Sequence, residues 1–174
     1  MKTTIRSRVL IGAMAATLLP HALAHAQSSA VSAAAVVKAA DWQATMSRSV
    51  AGNILDTKVN ETPVKGGLVR VGIVHRTAAE NRALMHEELT EIYQIIEGSG
   101  TLVTGGEMQE QRAVSDPPNL GDTPSYFVTQ VGGETQEIGP GDVVVLPAGI
   151  PHRFSVLHSP MSYIIYRFEV TPSP

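Results

Sequence analysis

Cysteine is absent from all 174 residues, and that absence excludes disulfides, thiolate metal ligands and a cysteine nucleophile together. A positive excess is absent too: thirteen Lys and Arg stand against sixteen Asp and Glu, for a formal net charge of −3. Such a balance offers nothing to nucleic acid or to an anionic membrane surface. A run of apolar residues long enough to cross a bilayer, about 20 residues, is also missing. The nearest candidate, residues 10–19, falls far short and is closed by Pro20.

That short run has its own meaning. Lys2, Arg6 and Arg8 precede it without an acid, and Ala24-His25-Ala26 before Gln27 has the small-x-small form of a signal-peptidase site. Residues 1–26 are therefore expected to be a cleaved secretory signal, and the protein to be exported, periplasmic or secreted. An uncleaved anchor is the alternative, and the shortness of the run speaks against it. The mature chain keeps ten basic residues against sixteen acidic ones, a formal charge of −6. Outside the cell and without disulfides, its fold must rest on a hydrophobic core, for which about 150 residues suffice.

Beyond the signal, residues 28–37 are rich in Ala, Ser and Val and read as a linker or a short helix. Residues 39–48 read as a helix, with Trp42 and Met46 sharing a face at i, i+4. That pair is expected to pack on the domain or on a second copy of the chain. Residues 51–65 read as a short strand and loops. In residues 68–76, Val69, Val71, Ile73 and His75 share one face and Arg70, Gly72, Val74 and Arg76 the other. The first set is the more apolar, so it is expected to face the core and aim His75 inward, unless His75 lies at the surface of the strand end. A β-bulge would turn Arg76 inward instead, where its guanidinium could clamp a substrate carboxylate. Residues 105–126 carry Pro117, Pro118, Gly121 and Pro124 and read as a long connection, a lid or an exposed excursion. Residues 126–131 and 134–138 read as a hairpin about Gly132-Gly133. In the final strand, residues 161–170, Ser162, Ile164, Tyr166 and Phe168 share one face, and His158 before it reads as part of an exposed turn.

Two segments carry chemistry. Gly139-Pro140-Gly141-Asp142 is turn sequence, Val143 to Leu146 reads as a short buried strand, and Pro147-Ala148-Gly149 ends it sharply. His152 then opens the next strand, with Phe154 and Val156 on its side of the pleat. Upstream, His86 and Glu91 lie either side of a short polar turn, Glu91, Tyr93 and Ile95 share a strand face, and Gly98-Ser99-Gly100 leads to residues 101–104 as a hairpin partner.

Together these segments resemble the cupin family, whose two motifs read G-x5-H-x-H-x(3,4)-E-x6-G and G-x5-P-x-G-x2-H-x3-N. His86, Glu91 and Gly98 match the second histidine, glutamate and closing glycine of the first motif; Gly141, Pro147, Gly149 and His152 match the second. Leu84 stands at the family's first-histidine position and Val156 at its asparagine position. The resemblance implies an all-β fold, a jelly-roll or double-stranded β-helix barrel over residues 66–174, preceded by the helix and linker of residues 27–65. With no internal repeat, one barrel is expected.

The resemblance also implies a divalent metal ion, iron, manganese, nickel or zinc, held by His86, Glu91 and His152, a donor set that leaves positions open for substrate. A barrel with vestigial ligands is the alternative. Two functions follow: a metal-dependent enzyme of lyase, dioxygenase or isomerase type acting on a small oxygen-bearing molecule, or a non-catalytic protein binding such a molecule. In the enzyme Tyr93 is the candidate acid or base; in the binding protein it merely lines the barrel. His75, Arg76 and Phe154 are candidate ligand contacts in either. The expected partners are a small molecule and, since cupin barrels often pair, a second copy.

Overall fold

The computed structural model describes residues 34–115 and 123–170. The expected signal segment lies outside them, as do Pro117, Pro118 and Gly121. One helix, α1 (Ala39–Gly52), precedes eleven strands: β1 (Asp56–Val64), β2 (Gly67–Arg76), β3 (Ala83–His86), β4 (Leu89–Glu97), β5 (Gly100–Thr104), β6 (Glu107–Ala113), β7 (Ser125–Val131), β8 (Glu134–Ile138), β9 (Val143–Leu146), β10 (His152–Leu157) and β11 (Met161–Val170). They form two antiparallel sheets, ordered β1-β2-β11-β4-β9 and β6-β7-β3-β10-β5-β8. This is the expected double-stranded β-helix with a short N-terminal helix.

The order of the strands within the two sheets corrects two local expectations. Gly98-Ser99 does not close a hairpin, because β4 lies in the first sheet and β5 in the second. A Cβ on Gly98, whose φ is +77°, would collide with the carbonyl of Pro160, so this crossover needs glycine for close backbone approach. Nor do β7 and β8 pair with each other: β7 pairs with β6 and β3, and β8 with β5. The strands β5 and β6 run on from one another, as do β7 and β8, with Gly105-Gly106 facing Gly132-Gly133 at a crease. A Cβ on Gly106 would lie 2.6 Å from the Val131 carbonyl, and one on Gly133 2.8 Å from that of Thr104. Paired glycines that look like a turn are thus the bend of a long ribbon.

Three further expectations change. The short strand expected within residues 51–65 is a nine-residue one, β1, which pairs with β2 from Asp56 to Val64. Part of the expected long connection is β6, paired to β7. The strand β9 is a half-exposed edge, with Val143 and Val145 61% and 59% exposed and Leu146 buried. The barrel core is built from inward residues of both sheets, among them Ile95, Leu102, Leu146, Phe154, Tyr163 and Ile165, each worth roughly 1.5–3 kcal/mol on burial. A register shift after Phe154 carries Val156 out of that face, leaving it 44% exposed. The helix packs on β1 and β2, burying Thr45 and Ser49 while Trp42 and Met46 stay half-buried; Ser49 meets Thr57, Oγ to Oγ1, at 2.9 Å.

Candidate metal centre

The register of β11 with its neighbours builds one wall of the site. Tyr163 faces Val74 on β2 and Ile95 on β4, Ile165 faces Gly72 and Tyr93, and Arg167 faces Arg70 and Glu91. Glu91 and Tyr93 thus project from one face by the strand's period of two, as their spacing suggests. The opposite sheet supplies the histidines: His86 ends β3 and His152 begins β10, with Leu84 paired to His152. The Pro147–Gly149 turn stitches them together. Gly149 takes φ +79° and its N–H donates to the His86 carbonyl at 2.7 Å, bringing the imidazole centroids to 5.7 Å.

One ligating atom from each of His86, Glu91 and His152 lies within 4.8 Å of the others, and all three residues are buried. Glu91 Oε1 is 3.8 Å from His86 Nε2, and Oε2 is 3.4 Å from His152 Nε2. The far nitrogens fix the tautomers. His152 Nδ1 is 3.0 Å from the Ile150 carbonyl, which can only accept, so Nδ1 carries a proton. His86 Nδ1 is 2.7 Å from Ser125 Oγ, and that hydroxyl donates to the Thr123 carbonyl at 3.2 Å; it therefore accepts from Nδ1. Both Nε2 atoms face Glu91.

Burial holds His86 down to about 4, only partly opposed by Glu91. His86 is therefore neutral, and its bare Nε2 is buried without a hydrogen-bond partner. A lone pair orphaned in this way fits a metal ion. Burial also works against charge on His152, but the Glu91 carboxylate outweighs it and raises the imidazole. Glu91 itself is held well below the usual carboxylate range, because His152 and Arg167 overcome the cost of burial. An arriving cation would take the place of the His152 proton. The residues present fit a divalent ion.

Sequence reasoning missed Arg167. Its Nε donates to Glu91 Oε1 at 2.9 Å and its Nη2 to Asp56 Oδ2 at 2.6 Å. The available signal was its place on the face of β11 opposite Ser162, Ile164 and Tyr166. Tyr93 donates its hydroxyl to Glu91 Oε2 at 2.7 Å, so each carboxylate oxygen already has a protein donor.

The centre opens into a cavity of about 190 Å³ walled by Leu55, Val74, Leu84, Val114, Phe127 and Ile165, with Arg76, Tyr93 and Tyr163 also lining it. A larger depression, about 490 Å³, lies between the edges of β8 and β9 and holds none of the three ligand residues. The expected phase of β2 is inverted. Arg76 faces the cavity with no break in the pairing of β2 to β11. His75 does not face it; it turns to the other side of the sheet, where Nδ1 meets Ser162 Oγ at 2.9 Å. Arg76 pairs with Glu80 at 2.8 Å and donates to the Tyr163 hydroxyl at 3.1 Å. Phe154 is packed in the core, its ring centroid 5.4 Å from the Arg76 guanidinium carbon, so it backs the arginine. His158 lies in the turn before β11 and pairs with Glu137 at 2.8 Å.

If Ser125 aims His86, Ser125→Ala should weaken metal binding by roughly 10–100-fold while leaving the fold intact. Zinc titration beside circular dichroism would check this; unchanged affinity would show that packing alone holds the ring.

No family model and no curated protein matches the chain. Cupin-superfamily structures are among its structural neighbours. One is a cupin superfamily protein of Desulfitobacterium hafniense, 11% identical, with 68% of this chain and 77% of that one covered at a TM-score of 0.41. Another is an RmlC-like cupin with a double-stranded β-helix fold from Methanocaldococcus jannaschii, 12% identical, covering 67% and 80% at 0.39. The DMSP lyase DddQ of Ruegeria pomeroyi is 17% identical, covering 63% of this chain at 0.39, and the match spans 42% of the lyase. At identities this low, what the centre does follows from its own geometry.

Proposed function

We propose that this chain is an exported, metal-dependent cupin enzyme that acts on a small oxygen-bearing molecule inside its barrel. The observation that carries the reading is the bare, buried Nε2 of His86 converging with His152 and Glu91 on one point. When bound, a divalent ion there supplies Lewis acidity toward an oxygen of the substrate. The chain supplies the rest. Leu84, Val114, Phe127 and Ile165 give the cavity an apolar wall that displaces water. Arg76 at the cavity's side meets an anionic end of the substrate, and Tyr93 offers a hydroxyl proton beside Glu91.

A second reading, a binding protein without metal, has one specific observation in its favour: Arg167 already gives Glu91 a cationic partner. Metal analysis of protein purified without chelator separates the two. Near-stoichiometric iron, manganese, nickel or zinc, with turnover of a small carboxylate, enol or phenol, is the expected result. Protein that stays metal-free after exposure to each ion would overturn the enzyme reading.

A further inference from the structure

We propose that Arg167 sets the metal affinity of the His86, Glu91 and His152 centre by acting as a fixed cation opposed to the bound ion. The inference rests on the metal reading above and concerns how that site is tuned. Arg167 is buried, 5% exposed, and lies directly opposite Glu91 in the β11–β4 register. On its other side it faces Arg70 across β2. Two arginines on adjacent strands repel unless each has its own anions, and each does. Arg70 is held by Glu61 and Glu169, and Arg167 by Glu91 and Asp56.

Asp56 reaches Arg167 over Gly72. A Cβ at Gly72 would meet Asp56 Oδ1 at an ordinary 3.5 Å but would press to 3.2 Å on both the Thr57 carbonyl and Ile165 Cγ2, so glycine here eases the close packing of β1 and β11 on β2. With Asp56 on one arm and Glu91 on the other, the guanidinium is clamped where it stands. Any ion that binds Glu91 therefore arrives within a few ångströms of a permanent positive charge, in a buried setting where screening is weak. Leu84 removes a third imidazole from the same centre. One donor fewer and one cation more together hold the ion less tightly than an unopposed four-donor set would.

A purely structural Arg167 makes the opposite prediction. If it only propped Glu91 in place, removing it would loosen the ligand and weaken binding; if it opposes the ion, removing it tightens binding. The test is a Co²⁺ titration of the metal-stripped mature protein, followed by visible absorption of the bound ion, with thermal melts alongside. Arg167→Met should bind Co²⁺ at least about tenfold more tightly than the parent. Arg167→Lys, which keeps the charge, should stay within about threefold. Because Arg167→Met removes the cation facing Asp56, the double variant Asp56→Asn/Arg167→Met keeps the local charge balanced; it too should bind more tightly, and it decides the matter if the single variant does not fold. Equal or weaker binding in a folded variant overturns the role given to Arg167 and leaves the metal reading standing. No Co²⁺ absorption from the parent or from any variant overturns both.

Discussion

Replacing His152 by Ala is expected to abolish metal content and turnover together while leaving the barrel folded. The donor set already lacks one imidazole, because Leu84 occupies the first-histidine position of the motif; losing His152 leaves a single imidazole and a carboxylate. Such a pair does not hold a first-row ion in competition with water, so affinity should fall by more than about 100-fold. The fold should survive for a local reason. The His152 ring makes its backbone hydrogen bond to Ile150, two residues away, and Glu91 keeps Arg167 and Tyr93 as partners when His152 goes. A stability loss of about 1–2 kcal/mol is the expected scale for truncating this buried side chain. Metal analysis and a denaturant melt of the variant would check both halves. Full metal occupancy in His152→Ala would place the ion elsewhere in the molecule.

The convergence of His86, Glu91 and His152 was legible because short-range chemistry positions them. Turn residues at Gly139–Asp142 and Pro147–Gly149 bracket β9 and deliver His152 to the start of β10, while period two sets Glu91 beside Tyr93. What sequence patterning did not give was long-range pairing. The face of β2 carrying Val69, Val71 and Ile73 is the more apolar, yet it is the outer one: Ile73 is fully buried on the side where α1 packs. With both faces covered, apolarity no longer tells inside from outside, and so His75 and Arg76 exchanged roles. The same limit hid Arg167. Its bond to Glu91 joins residues 76 apart in the chain, and an arginine on a strand face reads as solvated unless its partners are already known. The double glycines misled for a related reason. Gly132-Gly133 has the composition of a tight turn, but only the pairing of β7 with β6 and of β8 with β5 shows it to be a crease.

Tyr93→Phe is expected to lower turnover by roughly 10²–10⁴ with metal content and folding preserved, and the geometry points to a role as proton donor. A cation beside a phenol favours the phenolate, which would make Tyr93 a base. Here burial and the Glu91 carboxylate both push the phenol well above its ordinary range, and its hydroxyl donates to Glu91 Oε2 at 2.7 Å. On the proposed reading, this geometry has Tyr93 acting as an acid or hydrogen-bond donor to charge developing on substrate oxygen. Phenylalanine removes that donor alone. The ring remains packed against Tyr163, centroids 4.7 Å apart, and Phe154, 6.4 Å apart, so stability should change little. Freed from one donor, Glu91 becomes a stronger ligand, and metal affinity should hold or rise. Loss of turnover at full metal occupancy therefore isolates the proton. Unaltered turnover on a confirmed substrate would make Tyr93 a lining residue and leave the chemistry to the metal alone.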